Sequence, residues 1–316
     1  MGGATVALSG DFRQTLPIIA RGTPADEIKA CLKNSYLWKQ VAKLSLTTNM
    51  RAHVQGNKSA GQFAQKLLQI GDGRVEEDES GQISLPCGVI VSSIEELRNK
   101  VFPNIRQNFS KADWLCERAI LAARNDTVEM VNIQAQNLIP GPEHSYKSMD
   151  SVLKEDDAVQ YPTEFLNSIH APGLQVHNLI LKVGSPIILI WNIDAPRLCN
   201  GTRLIVKQLL RHVIQATVLT GCAKGEDVFI PRIPIIPSEE TIPFKRVQFP
   251  VKLCFAMTIN KAQGQSLQIA GIDLRMPCFS HGQLYVACSC VGEEDNLFIL
   301  APDGRTKNVV YQQALQ

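Results

Sequence analysis

The sequence predicts an α/β fold in which a β-rich segment interrupts a larger α/β part. Up to residue 176, apolar strand-like runs alternate with amphipathic helical patterns. Between residues 177 and 246, short β-type runs follow one another and are separated by Gly, Asn and Pro turns. The proline-rich stretch Pro231–Pro250 then leads back to alternating strand and helix signals. With 316 residues, the chain is long enough for one large domain or two ordinary ones.

The first α/β part opens with a buried strand, predicted at Ala4–Leu8, which ends at Ser9-Gly10-Asp11. Apolar residues three or four positions apart predict a helix over Pro24–Lys43, and Ser59–Ile70 is amphipathic in the same way. The glycines of Gly71-Asp72-Gly73 end this second helix. The other elements predicted here are strands at Leu44–Thr48 and Ala119–Ala123 and a helix at Val128–Leu138, capped by Asn125-Asp126.

The β-rich segment is predicted to form a small β-barrel or sheet. Asn200-Gly201 is a hairpin turn signal within it. The apolar runs that predict its strands are Leu179–Ile193, Arg203–Gln208, Val213–Leu219 and Val228–Ile230.

Composition limits the class of protein. Hydrophobic residues make up 45% and charged residues 20%, as in an ordinary globular chain. The net charge of +2 gives no global signature of nucleic-acid binding, although a local stripe of Lys and Arg would suffice. The nine cysteines contain no C-x-x-C pair, so we expect no metal site and reduced thiols in a nuclear or cytosolic compartment. The sequence has neither an 18-residue apolar run nor a signal-peptide pattern, so we expect no membrane association.

The polar residues that carry most information lie in Phe255–Val291. Positions 258 to 265 read TINKAQGQ, and Ser280-His281-Gly282-Gln283 precedes a second apolar run. Amides, hydroxyls and glycines beside a buried strand can hold phosphates or bases without reading sequence. The pattern therefore indicates a motor that couples a nucleotide to a nucleic acid.

This segment resembles the last two helicase motifs of the Pif-type (petite integration frequency) superfamily-one DNA helicases, especially those carried by Helitron transposons. The family motifs typically read TINK-(S/A)-QGQ(T/S)L and FSHGQLYVALSR. The chain departs from the second motif at Cys290, where the family has an arginine. Loss of an arginine that stabilises transition-state charge costs on the order of 10³ to 10⁵ in rate.

Two earlier motifs follow the same order as in the family. Taken alone, the apolar run that ends at Asp11 suits either a Walker-B strand with a magnesium-binding carboxylate or an ordinary capped turn. GDFRQTLP resembles the third family motif, which implies that Gln14 senses the γ-phosphate. Asn49-Met50-Arg51 resembles the fourth, which implies that Arg51 contacts the triphosphate; a surface arginine is the alternative.

The resemblance also implies the remaining site residues and the domains. It implies that Gly264 and Gln265 bind the nucleotide and that single-stranded DNA is bound by Thr258, Lys261, Gln263 and His281. A structural role is the alternative for the histidine. The implied domains are the end of a first RecA-like lobe at 1–30, a second RecA-like (P-loop NTPase-like) lobe at 31–176 and 247–316, and an SH3-like β-barrel insertion at 177–246.

Two motifs that ATP hydrolysis requires are missing from the sequence. No G-x-x-x-x-G-K-[ST] loop occurs, and no Asp-Glu pair follows an apolar strand. We therefore expect the C-terminal half of an ATP-dependent 5′–3′ DNA helicase that acts in DNA repair, recombination, telomere maintenance or Helitron transposition. ATP and Mg²⁺ serve the intact family, whereas this fragment alone is expected to bind neither and to be inactive unless an upstream half is supplied. A non-catalytic module that binds single-stranded DNA is the alternative, and an α/β fold with neither activity is the third.

Overall fold

The structure is a computed structural model that describes residues 3, 5–19, 22–46, 58–154, 160–170, 173–237 and 242–316. The chain divides into two compact units. Unit 1 comprises Met1–Val101, Ile120–Thr127 and Met257–Gln316, and unit 2 comprises Phe102–Ala119 and Val128–Ala256. Within the described ranges, no helix is long and apolar enough to cross a membrane.

The α-helices among the described residues are α1 (Pro24–Ala30), α2 (Lys58–Gly71), α3 (Ile94–Val101), α4 (Ile105–Asn108), α5 (Ala112–Cys116), α6 (Asn125–Asn137), α7 (Thr163–Ser168), α8 (Ile259–Ala262), α9 (Gln283–Ser289) and α10 (Gln312–Leu315). Short 3₁₀ turns lie at Leu32–Asn34, Tyr36–Gln40, Glu294–Asn296 and Pro302–Gly304.

The strands are β1 (Ile83–Ser84), β2 (Val89–Ile90), β3 (Arg118–Ala122), β4 (His144–Lys147), β5 (Met149–Val152), β6 (Asn178–Leu181), β7 (Pro186–Leu189), β8 (Arg203–Leu209), β9 (Val213–Val218), β10 (Asp227–Pro231), β11 (Ile233–Ile235), β12 (Phe244–Gln248), β13 (Val251–Leu253), β14 (Ala256–Thr258), β15 (Ile269–Asp273), β16 (Leu297–Leu300) and β17 (Arg305–Thr306).

A five-stranded sheet with the order β14-β3-β15-β16-β2 forms the centre of the α/β part. Strand β15 pairs in parallel with β16, and β16 pairs in parallel with β2. Helix α3 packs closely on β15 at Gly271, where a Cβ atom would lie only 2.8 Å from Val101 Cγ2 and 3.0 Å from Leu97 Cδ1. The predicted α/β class is therefore confirmed.

Unit 2 contains the β-rich segment. Strands β10-β9-β8-β7-β13 form one antiparallel sheet around a core that includes Ile187, Leu189 and Leu204. Strands β11-β12-β5 and β4-β6 form smaller sheets. The predicted β-runs are thus confirmed as strands, whereas their closure into an SH3-like barrel stays a prediction.

The buried Arg246 cross-links unit 2. Its guanidinium group makes an ion pair of 2.6 Å with Asp150, and both side chains are almost completely buried. The same group donates hydrogen bonds to the carbonyl oxygens of Leu166 at 2.7 Å and Gln175 at 2.7 Å. One arginine therefore joins β12, β5, helix α7 and the loop that follows α7.

Three predictions near the beginning of the chain are wrong. Thr5–Leu8 is not a strand but an exposed segment, and Leu44–Leu46 is likewise irregular, with Leu44 and Leu46 exposed at 98% and 99%. No strand among the described residues pairs with either run, and an unpaired strand leaves its backbone groups unsatisfied. The single helix predicted over Pro24–Lys43 is α1 followed by two 3₁₀ turns.

Candidate functional site

The segment that contains Gln14 forms a turn in unit 1 that its own aspartate stabilises. Asp11 accepts hydrogen bonds from the backbone N–H of Arg13 at its side chain, 3.0 Å, and from that of Gln14 at its carbonyl, 3.1 Å. Its second carboxylate oxygen accepts a hydrogen bond of 2.8 Å from the Tyr285 hydroxyl. Burial, followed by the nearby charge of Asp11, raises the pKa of Tyr285, so this hydroxyl stays a donor. The contacts of Asp11 are those of a turn-forming residue.

Arg13 fixes the same turn to the end of helix α2. Its Nε donates a hydrogen bond of 2.6 Å to Asp72, which also pairs with Arg74. Burial alone would raise the pKa of Asp72, but hydrogen bonds from the two arginines outweigh it and hold the pKa below its ordinary value. The carboxylate is therefore ionised and the pairing is kept near neutral pH.

Gln14 and Gln263 are joined by a direct hydrogen bond although they are 249 positions apart. Gln263 Nε2 donates to Gln14 Oε1 at 3.0 Å, and Gln263 Oε1 accepts from the Thr15 hydroxyl at 2.8 Å. Both amide groups of this contact are accessible to solvent. The structure thus brings together the proposed γ-phosphate sensor and one proposed DNA-binding residue.

Gly282 lets the second polar segment approach the turn. It caps helix α9 with a φ of +72°, and a Cβ atom at this position would lie 2.3 Å from Arg13 O and 2.7 Å from the Gln14 carbonyl carbon. Any side chain larger than hydrogen would push the two backbones apart. Sequence reasoning noted this glycine only as part of a motif, where its place before an apolar helix was the available signal.

His281 is completely buried, and both of its ring nitrogens form hydrogen bonds. The Tyr311 backbone N–H donates to Nδ1 at 2.9 Å, so the ring proton is on Nε2, which donates to the Phe12 carbonyl at 2.8 Å. The ring also stacks on Tyr311 with a centroid distance of 5.4 Å. Burial lowers the pKa of His281 and keeps it neutral. In this arrangement the ring offers no atom to DNA, and its contacts are those of the structural alternative.

Gln283 is buried and joins the two polar segments by side-chain hydrogen bonds. Its carbonyl oxygen accepts from the backbone N–H groups of Phe279, 3.0 Å, and Ser280, 3.2 Å. Its amide nitrogen donates to Asn260 Oδ1 at 3.1 Å. Helix α9 is thereby fixed to the helix that carries the proposed DNA-binding residues.

Three proposed DNA-binding residues, Thr258, Lys261 and Gln263, lie in helix α8 or at its ends. Thr258 occupies its N-cap position and is partly exposed, while Lys261 and Gln263 are exposed. Gly264 follows with a φ of +77° and open space where a Cβ atom would stand. Thr258, Lys261 and Gln263 therefore present a hydroxyl, an ammonium and an amide on one short segment.

A cavity of about 200 Å³ lies beside this segment, lined by Gln14, Gly264, Gln265 and Cys290 among others. The Gln265 amide nitrogen donates to Lys261 O at 3.2 Å, whereas its buried Oε1 has no hydrogen-bond partner among the described residues. Buried Cys290 donates its S–H to Ala287 O at 2.9 Å. The described residues lining the cavity include no Lys, Arg or His.

Arg51, the other residue predicted to contact the triphosphate, lies outside the described residues. Among those that are described, no group of three His, Cys, Asp or Glu side chains is arranged to hold a metal ion. The site that can be described is therefore an uncharged, amide-rich cavity beside a hydrogen-bonded pair of glutamines.

Comparison with known proteins gives two family matches. Residues 1–81 match the model of the family described as PIF1-like helicase, and residues 164–209 match that of the DNA helicase Pif1 2B domain. The second match overlaps the predicted β-rich segment.

Curated relatives match over most of the chain. The ATP-dependent DNA helicase PIF1 of Xenopus laevis is 26% identical over 290 residues, which cover 91% of this chain and 39% of the relative. The human PIF1 is 29% identical over 292 residues, with 91% and 39% covered. RRM3 of Saccharomyces cerevisiae is 23% identical over 364 residues, with 95% and 46% covered. The chain thus spans less than half the length of these relatives.

Solved structures show the same fold. The crystal structure of Pif1 helicase from Candida albicans aligns with a TM-score of 0.60 at 22% identity, covering 97% of this chain and 66% of that one. The Bacteroides Pif1 helicase in complex with ADP-AlF3 and single-stranded DNA aligns with a TM-score of 0.62 at 18% identity, covering 97% and 64%. The RecA-like α/β fold predicted from the motifs is therefore confirmed.

Proposed function

Because the chain belongs to the Pif1-type superfamily-one helicases, we propose that it forms the part of an ATP-dependent DNA helicase that links nucleotide state to single-stranded DNA. The observation that carries the proposal is the 3.0 Å hydrogen bond from Gln263 to Gln14. It joins the turn proposed to sense the γ-phosphate directly to the segment proposed to hold DNA.

The chemistry of the two ends suits this coupling. Gln14 lines the cavity, and its amide nitrogen can donate a hydrogen bond to a phosphate oxygen. A Gln14 side chain that turns to do so withdraws the carbonyl oxygen that accepts from Gln263. On the other side, the Thr258 hydroxyl and the Lys261 ammonium can hold backbone phosphates without reading sequence. A change in the Gln14 contact would therefore reach Thr258 and Lys261 through Gln263, which ends the single turn of helix α8. His281 supports this arrangement by fixing the turn.

The cavity fits one edge of a nucleotide but not a whole one. Its volume of about 200 Å³ is below the roughly 300–1,000 Å³ of ordinary ligand pockets. Its described lining has no positive charge to balance phosphates. Gln14, Gly264 and Gln265 would hold the phosphate edge of ATP only together with charged residues from another segment, and the bound Mg²⁺ and the cleavable γ-phosphate would supply the hydrolytic chemistry.

We propose that these 316 residues do not hydrolyse ATP by themselves. The sequence contains no phosphate-binding loop, and Cys290 stands where the family motif has arginine. A buried thiol that is hydrogen-bonded to Ala287 O cannot supply positive charge. Hydrolysis would require a loop from outside these residues, such as an upstream helicase half.

A non-catalytic module that binds single-stranded DNA is the second candidate, and Cys290 favours it. The biological setting that we propose is Helitron transposition, supported by the motif at Phe279–Val286, with DNA repair, recombination or telomere maintenance as alternatives. Genomic copies flanked by transposon ends would support the first setting, and one isolated locus without such ends would argue against it.

Fluorescence anisotropy with labelled oligothymidylate tests the DNA-binding part of the proposal. The purified chain should bind at low salt and release the strand as salt rises. Combined Thr258→Ala and Lys261→Ala changes should weaken binding severalfold, whereas Lys224→Ala, at an exposed lysine of unit 2, should not. No binding at low salt would refute this part.

Phosphate release measured with and without DNA separates the two candidates. We expect no turnover above background from the chain alone. Turnover that appears when a P-loop-bearing helicase segment is added favours the helicase candidate, while none under any combination favours the binding module. DNA-stimulated turnover by the chain alone would contradict the proposed dependence on another segment.

A further inference from the structure

A second cavity, of about 930 Å³, lies within unit 1 and contains none of the residues assigned above. Its lining includes Ala123–Asp126, which follow strand β3, and Met276–Phe279, which follow strand β15. These two strands are neighbours in the central sheet, and the residues at both carboxyl ends open onto the same space. Open α/β sheets bind their ligands at this edge.

Two residues that line the cavity are apolar and exposed. Phe279 has 62% of its surface accessible and Met276 has 42%, which is unusual for two large apolar side chains placed together. Each lines the cavity. An exposed phenyl ring with an apolar neighbour provides a face on which a flat, aromatic ligand can stack.

Other lining residues supply positive charge and amide groups. Lys307 lines the cavity and has no hydrogen-bond or ionic partner among the described residues, and the same holds for the Asn125 side chain. Arg124 pairs with Asp126 at 3.0 Å, but both side chains are at least half exposed. Such a pair contributes little and leaves other guanidinium N–H groups available. The two cations outnumber the single carboxylate.

We propose that this cavity binds one unpaired nucleotide of single-stranded DNA, with the base stacked on Phe279 and the adjoining phosphates held by Lys307 and Arg124. A flat apolar surface next to separate cations matches a base joined to a phosphate, and it does not match a purely anionic or a purely apolar ligand. The inference rests on the proposed function, because it adds a base-stacking position to the strand that Thr258 and Lys261 would hold. Stacking on Phe279 would add affinity for DNA beyond that of the phosphate contacts.

Replacement of Phe279 tests the stacking position. In the anisotropy assay, Phe279→Ala should weaken binding of oligothymidylate about 5- to 150-fold, the range that one lost base stack gives. The slope of log affinity against log salt should stay unchanged. Phe279→Leu, which keeps an apolar side chain, should lose most of the same affinity. Phe229→Ala is the matched control, since Phe229 is 60% exposed and lies on β10 of unit 2.

The comparison of abasic with normal DNA distinguishes base stacking on Phe279 from a purely structural role of this residue. The unaltered chain should bind the abasic strand more weakly than the normal one, and Phe279→Ala should bind both equally. Lys307→Ala should reduce the salt slope by about 0.7, the value for one phosphate contact on a single strand. Thermal melting of each variant should match that of the unaltered chain, because the replaced side chains are exposed.

The outcomes separate this inference from the function on which it rests. If Phe279→Ala behaves like Phe229→Ala while the Thr258 and Lys261 changes still weaken binding, the stacking position is refuted and the proposed function stands. If the unaltered chain binds no single-stranded DNA at low salt, both are refuted. Equal loss of normal and abasic binding in Phe279→Ala would also overturn the stacking assignment.

Discussion

Replacement of Gly282 by alanine is the sharpest test of how the site is assembled. The residue has a φ of +72°, and its new Cβ atom would lie 2.3 Å from Arg13 O, a backbone atom that cannot rotate away. The left-handed conformation costs about 1–2 kcal/mol for a residue with a Cβ atom. The enforced separation of two packed backbones should add about 1–3 kcal/mol. Gly282→Ala should therefore destabilise unit 1 by about 2–5 kcal/mol.

Gly264→Ala isolates the first of these contributions. Gly264 has a similar φ of +77°, but nothing lies within 4 Å of the position that its Cβ atom would take. This variant should lose only the cost of the left-handed conformation, about 1–2 kcal/mol. The difference between the two variants measures the close approach of Gly282 to the turn.

Urea unfolding and hydrogen exchange measure the two effects. Gly282→Ala should shift the unfolding midpoint of unit 1 more than Gly264→Ala does. It should also speed the exchange of the Gln14 amide, which donates to Asp11 O at 3.1 Å in the turn. Equal midpoints, or unchanged exchange at Gln14 in Gly282→Ala, would show that the turn does not depend on this contact.

Three further predictions concern other parts of the chain. Burial lowers the pKa of His281 from 6.5 in the folded state, so on acidification the unfolded state binds the proton first. At pH values below about 6.5, the free energy of unfolding should therefore decrease, by up to roughly 1.4 kcal/mol per pH unit. His281→Asn should flatten this slope in pH-dependent melts. Ellman's reagent should modify exposed Cys222 in the native chain and Cys278 only after unfolding, because burial raises the pKa of Cys278 to about 12; rapid native labelling of Cys278 would contradict its burial. Arg246→Met leaves the Asp150 carboxylate buried and unpaired, and should cost about 3–5 kcal/mol in urea unfolding; the double variant that also carries Asp150→Leu should recover part of this loss.

Sequence periodicity predicted those helices and strands whose apolar pattern lies wholly within the element itself. Helix α2 has one apolar face and ends at Gly71, and strand β9 buries every second residue. The run at Thr5–Leu8 is equally apolar, yet it is not a strand, because strand formation depends on a partner that no local pattern reveals. The division into lobes at residues 30, 176 and 246 stays a prediction.

The candidate site shows the same limit. Motif resemblance selected Gln14 and Gln263, and the structure places them in direct contact. It gave no means of deciding whether His281 faces DNA or the protein, because that depends on Tyr311 and Phe12, which are distant in sequence. The exposed Phe279 was missed for a related reason, since a cavity between two strand ends is a property of the folded chain.

The strengths of the contacts around Gln14 explain how the site can be both fixed and responsive. The turn is held from four sides: by Tyr285 on Asp11, by Asp72 on Arg13, by His281 on Phe12, and by the backbone of Gly282. Most of these contacts are at least partly buried, and losing one leaves a polar group unsatisfied, at a cost of about 1–3 kcal/mol.

The Gln14–Gln263 hydrogen bond differs because it is exposed, so water can replace either partner. Its net contribution to stability therefore does not exceed that of an ordinary intramolecular hydrogen bond, about 0.5–1.5 kcal/mol. A hydrogen bond from Gln14 Nε2 to a charged phosphate oxygen is worth about 1.5–3 kcal/mol, which is enough to reorient the Gln14 amide and so to break the contact of its Oε1 with Gln263. The weakest contact of the turn is thus the one that lies between the proposed nucleotide and DNA sites, as a coupling element requires. Gln263→Ala should accordingly leave the urea midpoint of unit 1 almost unchanged. With a P-loop-bearing helicase segment added, the same change should remove the effect of nucleotide on DNA affinity.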